Sequence, residues 1–519
     1  MNLLDRAIAA VSPQTALKRT VARKQMQVLN SGYSNYGASK TKKSLLGWNF
    51  KGGSTKEDIE DNLATLRERS RDSYMGIPIA TGALKTIRTN VVGAGLKLNS
   101  TIDYEVLGIS REEASILETQ IEREFSLWAD SLLCDAMQMN NFYNLQRIAF
   151  LSSLASGEVF ALLPYNDSNP SMPYGTRIQL VEADRISSPD NRDTEKIFSG
   201  VEVGKYGQVE AYHISQTHPL SKTLGGEKKW NRIEKFGKSS GRLNILHLME
   251  AERPEQRRGV PVLAPVLESL KQLGRYTDAE LMASLISSMF TVFIKSDSAE
   301  GDMIGAAISE DEQVDANDET SYELGAGSII GLAEGESVEV ANPGRTNTSF
   351  DPFVTAICRQ IGTALEVPYE LLMKHFTSSY SASRAALLEA WKMFNSSREF
   401  LSSRFCQPIY EEWLSEAVML GRINAPGFFD DHMVRRAYCK AEWYGPSQGL
   451  LNPLNEVNAA IKRVENGFST RSKETAELTG GDFWANVPQR IAEENAMLEG
   501  GISVNAQKQT ILENPKHNK

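Results

Sequence analysis

Pro265-Val-Leu-Glu-Ser-Leu-Lys-Gln-Leu-Gly-Arg-Tyr-Thr-Asp-Ala-Glu-Leu-Met-Ala-Ser-Leu-Ile-Ser-Ser-Met-Phe-Thr-Val-Phe-Ile294 reads as one long amphipathic helix. Pro265 sits where a first-turn proline is favoured, because its missing N–H has no helical partner there. Leu263, Val266, Leu267, Leu270 and Leu273, then Leu281, Leu285, Met289 and Val292, recur at spacings of three and four. Glu268, Lys271, Arg275 and Asp278 form a separate polar stripe, so one face packs and the other is wet. Thirty residues at 1.5 Å each span roughly 45 Å, the length of a strut. A second helix is predicted from Asp351 to Lys374, where Phe353, Ile357, Ile361 and Leu365 keep helical spacing.

Charge is distributed unevenly around this pair of helices. From Ser296 to Gly344 there are thirteen acids and no Lys or Arg, within a net charge of −10 for the whole chain. Ser328-Ile-Ile-Gly-Leu and Ser337-Val-Glu-Val-Ala within it look like short strands, which predicts a small acidic α/β module carried outward by the two helices. From Met1 to Lys56, ten basic residues face one acid, Asp5, in a Ser/Gly/Asn-rich context. That composition predicts a mobile basic arm. It fits a solvated tail and a contact for nucleic acid or an acidic partner equally well.

At 519 residues the chain exceeds the usual domain size several-fold, so two to four domains are expected. Cys134, Cys358, Cys406 and Cys439 are far apart and form no C-x-x-C pair, which indicates neither a zinc ribbon nor a disulfide framework. No secretory signal is read at the N-terminus. The longest uncharged apolar stretch, Leu281 to Ile294, is fourteen residues and contains three serines, too short and polar for a bilayer.

Between residues 60 and 260 the pattern predicts a mixed α+β region. Helices are expected from Ile59 through Arg71, Ile77 to Thr89, Glu112 to Trp128 and Phe142 to Ser156. Strands are expected at Glu158-Val-Phe-Ala-Leu-Leu, Ile178-Gln-Leu-Val-Glu, Gly200-Val-Glu-Val and Val209-Glu-Ala-Tyr-His-Ile. After the second strut a polar loop, His375-Phe-Thr-Ser-Ser-Tyr-Ser-Ala-Ser383, precedes a third helix from Arg384 to about Phe405.

A search for catalytic chemistry finds no H-E-x-x-H, no G-x-S-x-G and no tight carboxylate–histidine cluster. Gly237-Lys238-Ser239 ends like a phosphate-binding loop, but the glycine required five positions earlier is Arg232. Gly480-Gly-Asp-Phe483 reads as a turn rather than half a nucleotide-cyclase signature. His213 and His247 lie in strand-like stretches and read as structural groups. No enzyme activity, metal or cofactor is expected.

Segments in a fixed order over roughly residues 60 to 500 resemble the lambda-family portal proteins of tailed bacteriophages. They include Leu66-Arg-Glu-Arg-Ser-Arg-Asp72, Asn90-Val-Val-Gly-Ala-Gly-Leu96, Trp128 before Asp135, Ser156-Gly-Glu158 and Leu180-Val-Glu-Ala-Asp-Arg-Ile186. Gly200-Val-Glu, Gly207 and Ala211-Tyr212 follow. The best segment is Glu252-Arg-Pro-Glu-Gln-Arg-Arg-Gly-Val-Pro-Val-Leu-Ala-Pro-Val266, running into Tyr276-Thr-Asp-Ala-Glu-Leu281 and Val292-Phe-Ile294. Trp443-Tyr-Gly-Pro446 and Asn452-Pro453 extend it, although Asn452 and Asn455 stand where related chains often carry an acid and a lysine.

The resemblance implies an α+β portal fold with a wing, long stem helices, an inserted α/β clip and a helical C-terminal crown, assembling as a dodecameric ring. Its parts would be a basic arm 1–58, wing 59–260, stem helix 261–295, acidic clip 296–346, second stem helix 347–374, tunnel loop 375–383, wing return helices 384–445 and crown 446–519. It implies a channel at one capsid vertex for DNA packaging and ejection. The implied partners are double-stranded DNA, read without sequence specificity, the terminase large subunit, major capsid and scaffolding proteins, and a head-tail adaptor. The implied location is the virion, after assembly in the host cytoplasm. Lys374, His375, Ser378, Ser379 and Arg384 are the candidates for facing DNA; Lys374 equally suits a helix C-terminus, where a cation meets the negative end of the dipole. The alternatives are another head-tail connector ring, which is usually shorter, and a DNA-processing enzyme, which needs a metal-holding carboxylate cluster.

Overall fold

In the computed structural model, capping chemistry sets the ends of the helices that periodicity marks out. The structure describes residues 51–221, 229–288, 291–296, 336–341, 350–376, 379–449, 452–481 and 483–500, and within the first fifty residues 8, 10–29, 39, 42–45, 47 and 48. The chain divides into two units, Met1–Asp58 and Ile59–Lys519.

In the first unit, residues 13–29 are helical: helix α1 spans Pro13–Leu29. The reason lies in the composition, because no glycine follows Pro13 until Gly32 and Ala, Leu, Lys, Arg, Gln and Met are good helix formers.

In the second unit, α2 (Leu63–Gly76) and α3 (Pro78–Val91) meet at Ile77, whose extended backbone and following Pro78 break the helix. Helix α4 (Arg111–Ala129) opens with a capping box between Ser110 and Glu113. Helix α5 (Phe142–Ser156) is capped by Asn141 and stopped by Gly157 in the left-handed region at φ 86°. Strand β1 (Lys97–Ser100) lies between α3 and α4.

Two sheets follow α5. β2 (Glu158–Leu162) is the centre of a three-stranded antiparallel sheet, flanked by β3 (Gln179–Glu182) and β8 (Ile245–Met249). A four-stranded antiparallel sheet runs in the order β4 (Ile197–Phe198), β5 (Val201–Val203), β6 (Val209–Ser215), β7 (Trp230–Glu234). A small apolar core of Phe160, Val181, Ile186, Val201, Tyr212 and Ile245 joins the two sheets.

Helix α6 begins after a 3₁₀ turn, Ala264–Val266, and spans Leu267–Ser288. It is shorter than the predicted helix to Ile294, because Thr291–Ser296 is strand β9, paired antiparallel with β10 (Glu336–Ala341) in the register Ser296↔Glu336 to Thr291↔Ala341. Thr, Val, Phe and Ile suit a pleated ladder, and β-branching disfavours helix. The expected strand at Ser337 is therefore present, and the one at Ser328 lies outside the described residues. Helix α7 spans Phe350–Ala364. It too stops short of the expected end at Lys374: Glu366 is left-handed at φ 55°, Pro368 precedes a separate short helix α8 (Tyr369–Met373), and Gly362 lies against the Val367 carbonyl. Helices α6 and α7 touch through Tyr276, which stacks on Phe350 at 5.5 Å and meets Phe353 edge-on at 4.8 Å.

Helix α9 (Tyr380–Leu401) continues through a π turn, Ser402–Cys406, into α10 (Gln407–Met419). After α11 (His432–Tyr438), strand β11 (Ala441–Tyr444) pairs antiparallel with β1, Lys97 facing Tyr444. The segment after the struts thus closes on the segment before them. Phe125, Trp128 and Phe142 pack against Tyr410, Trp413 and Trp443 in one aromatic nest, with Phe125 and Trp413 centroids 5.0 Å apart. Glu416 on α10 accepts from the backbone N–H groups of Gly175 and Thr176 at 2.5 and 3.0 Å. Arg422 holds Glu124 of α4 through two hydrogen bonds of 2.8 and 2.9 Å. Helices α12 (Pro453–Glu465), α13 (Arg471–Thr479) and α14 (Phe483–Glu499) end the described chain. The four cysteines are buried thiols. Among the described residues, no helix is long and apolar enough to cross a membrane.

Candidate functional site

The residues nominated for facing DNA gather at the α8–α9 link. Lys374 ends α8 in the left-handed region at φ 54°, its N–H and that of His375 both reaching the Glu370 carbonyl. It therefore stands at the C-cap, through its backbone, with the side chain exposed. His375 and Phe376 are exposed beside it. Ser379 is the N-cap of α9, its hydroxyl accepting from Ala382 N–H at 3.4 Å, and Ser378 lies outside the described residues. Arg384 is separate in character. It sits on α9, 43 % exposed, 3.8 Å from the Glu456 carboxylate on α12. The link thus offers one exposed ammonium and one exposed imidazole on short polar backbone, with a guanidinium one turn inside the helix. Such groups can meet phosphate by charge without reading bases.

The strongest charge cluster was not nominated from the sequence. Glu158 opens β2 with its side chain fully buried. Its Oε1 accepts from Arg67 Nη2 of α2 at 2.5 Å and from Arg258 Nε at 2.7 Å. Its Oε2 accepts from His247 Nε2 of β8 and from the Gly259 N–H, each at 2.8 Å. Arg258 also donates to the carbonyls of Ala183 at 2.8 Å, Ile186 at 2.9 Å and Ser199. Asp184 lies between Arg67 and Arg71, pairing with both. Burial alone would raise the Glu158 pKa, but Arg258 and then Arg67 outweigh it and hold the carboxyl well below the ordinary range. Burial brings Arg67 down to about 10 against the pull of Glu158. Burial also lowers His247 despite its bond to Glu158, so the ring is neutral at pH 7 with its proton on Nε2, leaving Nδ1 to accept from the Tyr212 hydroxyl at 3.4 Å.

Two glycines let the backbones approach this carboxylate. A Cβ on Gly157 would lie 2.5 Å from the Gly259 carbonyl, and one on Gly259 would collide with the Gly157 carbonyl. Arg67, Ser156-Gly-Glu158, Ala183 to Ile186 and Arg257-Arg-Gly are the same segments that carry the family resemblance. Their order was legible, whereas their convergence on one carboxylate was not.

His213 likewise has a structural partner, Glu202 at 3.0 Å, which Arg232 also holds. Gly237-Lys-Ser is a reverse turn, with Gly237 N–H donating to the Arg242 carbonyl and Lys238 paired to Glu234. Gly480, left-handed, caps α13. Among the described residues, no three His, Cys, Asp or Glu side chains come together as a metal site.

The chain is 25% identical over 493 residues to Portal protein B of Escherichia phage lambda, covering 91% of this chain and 90% of that protein. It is 25% identical over 478 residues to the Portal protein of Escherichia phage N15, covering 88% and 89%. Among solved structures it resembles a chain from the neck of an empty GTA particle computed with C6 symmetry, at 13% identity and a TM-score of 0.48, over 80% of this chain and 94% of that one. The family described as phage portal protein, lambda family, matches residues 41–398, a span that holds the Glu158 cluster, both strut helices and most of α9. This chain belongs to the lambda family of phage portal proteins.

Proposed function

We propose that the chain assembles as a closed ring, a dodecamer, at one vertex of a phage head, and that its axial channel passes double-stranded DNA during packaging and ejection. The observation that carries this is family membership across residues 41–398. The α6–α7 pair leading into a hairpin that brackets an acidic segment agrees with it. In this reading α2 to β8 and α9 to β11 form the wing, α6 and α7 the stem, 297–335 with its hairpin base the clip, 374–379, shortened from 375–383 because α9 starts at Tyr380, the tunnel loop and α12 to α14 the crown. The clip docks the terminase large subunit and later a head-tail adaptor, while major capsid and scaffolding proteins surround the ring. The protein works in the virion, after assembly in the host cytoplasm, and performs no catalysis of its own.

A conduit must pass many phosphates without gripping them. Each Lys or Arg contact adds salt-sensitive affinity through counterion release, and a ring multiplies every contact by its subunit number. Few cations at the channel, Lys374 and Arg384 among them, satisfy that requirement. Negative-stain class averages of the purified protein are expected to show closed rings with a central channel. A stable monomer at high concentration refutes the proposal. Replacing 297–335 by an Asn-Gly turn, which suits a two-residue hairpin, is expected to leave rings intact and abolish terminase-driven packaging. Loss of rings would overturn the division into ring-forming and docking parts.

A further inference from the structure

We propose that the loop 131–140 of one copy seats in an apolar groove at the far end of helix α4 in the next copy, a head-to-tail contact that deepens the ring reading above and rests on it. The groove opens beside the first half of α4, between that helix, the short helical turn Tyr104–Leu107 and α11. Its walls include Val106, Leu107, Ile116, Leu117, Pro426 and Val434, and its volume is about 430 Å³. Ile116 is 71 % exposed and lies about 180° round α4 from the buried Phe125, on the side away from the core. The polar side chains on the α4 wall are already engaged: Glu113 accepts from the Ser110 N–H, and Gln120 donates to the Arg422 carbonyl. The opening is therefore apolar, with its polar groups satisfied inside one chain.

The loop after α4 is built to project. Buried Asp135 accepts from the N–H groups of Met137, Met139 and Asn140 at 2.9, 3.2 and 3.0 Å, and the Ala136 N–H donates to the Ile178 carbonyl at 2.9 Å. Held in this way, Met137 and Met139 are 61 % and 68 % exposed, and Leu132 is exposed as well. Methionine adapts to irregular apolar walls, and a backbone fixed before contact loses little freedom on docking. One chain cannot bring the two features together. From Ile116 to Ala129 the α4 axis rises roughly 20 Å, and the bridge between Asp135 and Ile178 ties the loop where it stands. Each copy thus carries one projection and one groove at separate places, which is what a heterologous contact repeated around a ring requires. Three side chains entering a groove fall well short of the roughly 20–30 residues a side of a standard stable interface. The contact therefore fits one element of a closed ring and not a free-standing dimer.

The test uses the full chain, whose own four cysteines are buried. M137C/I116C and each single variant are treated with a short bis-maleimide linker and run on denaturing gels. The double variant is expected to give a ladder of linked copies, because every copy then carries one thiol on the loop and one at the groove. Neither single variant links to itself, since like residues do not meet in a head-to-tail contact. Linked dimers from a single variant overturn the proposal, because the contact is then isologous. M137E/M139E should raise the concentration below which rings come apart by at least about tenfold, while the melting temperature of the dissociated chain stays as in wild type. Rings of that variant that persist at wild-type dilution also overturn it. Negative-stain images of the same samples separate the two readings. Absence of rings in wild type overturns both, whereas rings in the double variant without a ladder count against this contact alone.

Discussion

Replacing Glu158 by Gln tests whether the buried charge cluster holds α2, the three-stranded sheet and the Arg258 segment together. The substitution keeps the side-chain volume, so no cavity contributes, and it removes the anion shared by Arg67, Arg258 and His247. Two guanidiniums then remain in a site whose centre is fully buried, and Gln presents an NH₂ to donors it cannot accept from. Breaking a buried pair by removing one partner costs about 3–5 kcal/mol. At about 1.4 kcal/mol per decade, amide protection in β2 and around Ala183 should fall by two to three and a half decades, roughly 10²- to 4 × 10³-fold. Hydrogen exchange is the suitable assay, because it reads the segments around the cluster one by one, whereas a melting temperature reports on the two units of the chain together. A cycle with Arg67→Met isolates the coupling. Besides Glu158, Arg67 donates to the Ser156 carbonyl at 3.1 Å and pairs with Asp184 at 3.8 Å, whereas Arg258 donates to three carbonyls. Directly bonded residues in one network couple by about 0.5–3 kcal/mol. A fall in protection below tenfold, or strict additivity of E158Q and R67M, refutes the idea that this cluster joins the segments.

Other outcomes follow from the same geometry. His247 has a folded pKa below its ordinary value, so the unfolded chain takes up the proton first; its contribution is complete above pH 6.5 and declines as pH falls from there towards the folded value. Exchange at pH 7.5 and 5.5 should show that loss in wild type and not in His247→Gln, whereas the Glu158 contribution persists until much lower pH. Gly157→Ala and Gly259→Ala should each reduce soluble yield and melting temperature sharply, because each Cβ meets backbone. Gly241→Ala, left-handed but in open space, should cost only about 1 kcal/mol in a thermal melt. Arg384→Ala should change stability by about 1 kcal/mol or less, since its pair with Glu456 is long and partly exposed. With Lys374→Ala it should alter the rate of terminase-driven packaging while rings persist, and an unchanged rate would remove these residues from the channel.

Local chemistry was readable wherever neighbours in sequence decide the structure. Phe142–Ser156 has its cap, its stop and its strand in one stretch, and the helix is found where the spacing predicts it. The end of α6 was not readable in this way. Met289 and Val292 keep helical spacing, and what turns Thr291–Ser296 into a strand is a partner some forty residues on, at Glu336–Ala341. Likewise Asp351 to Lys374 keeps its period through Leu365, and the break depends on the left-handed Glu366 and the following Pro368. Among the loop candidates, Lys374, His375 and Ser379 are exposed polar residues, Arg384 is partly exposed, and Ser378 lies outside the described residues. The Glu158 cluster was not legible, because its members come from positions 67, 158, 247 and 258 and only folding brings them together.

The β9–β10 hairpin gives residues 297–335 a common doorway. Ser296 and Glu336 face each other across the ladder, about 5 Å apart between Cα atoms, so whatever lies between them enters and leaves at one point. Lengthening, shortening or exchanging that segment leaves the spacing of α6 and α7 unchanged. A lineage can therefore trade this cassette by recombination at two nearby junctions while the helices and the β1–β11 closure behind them stay as they are.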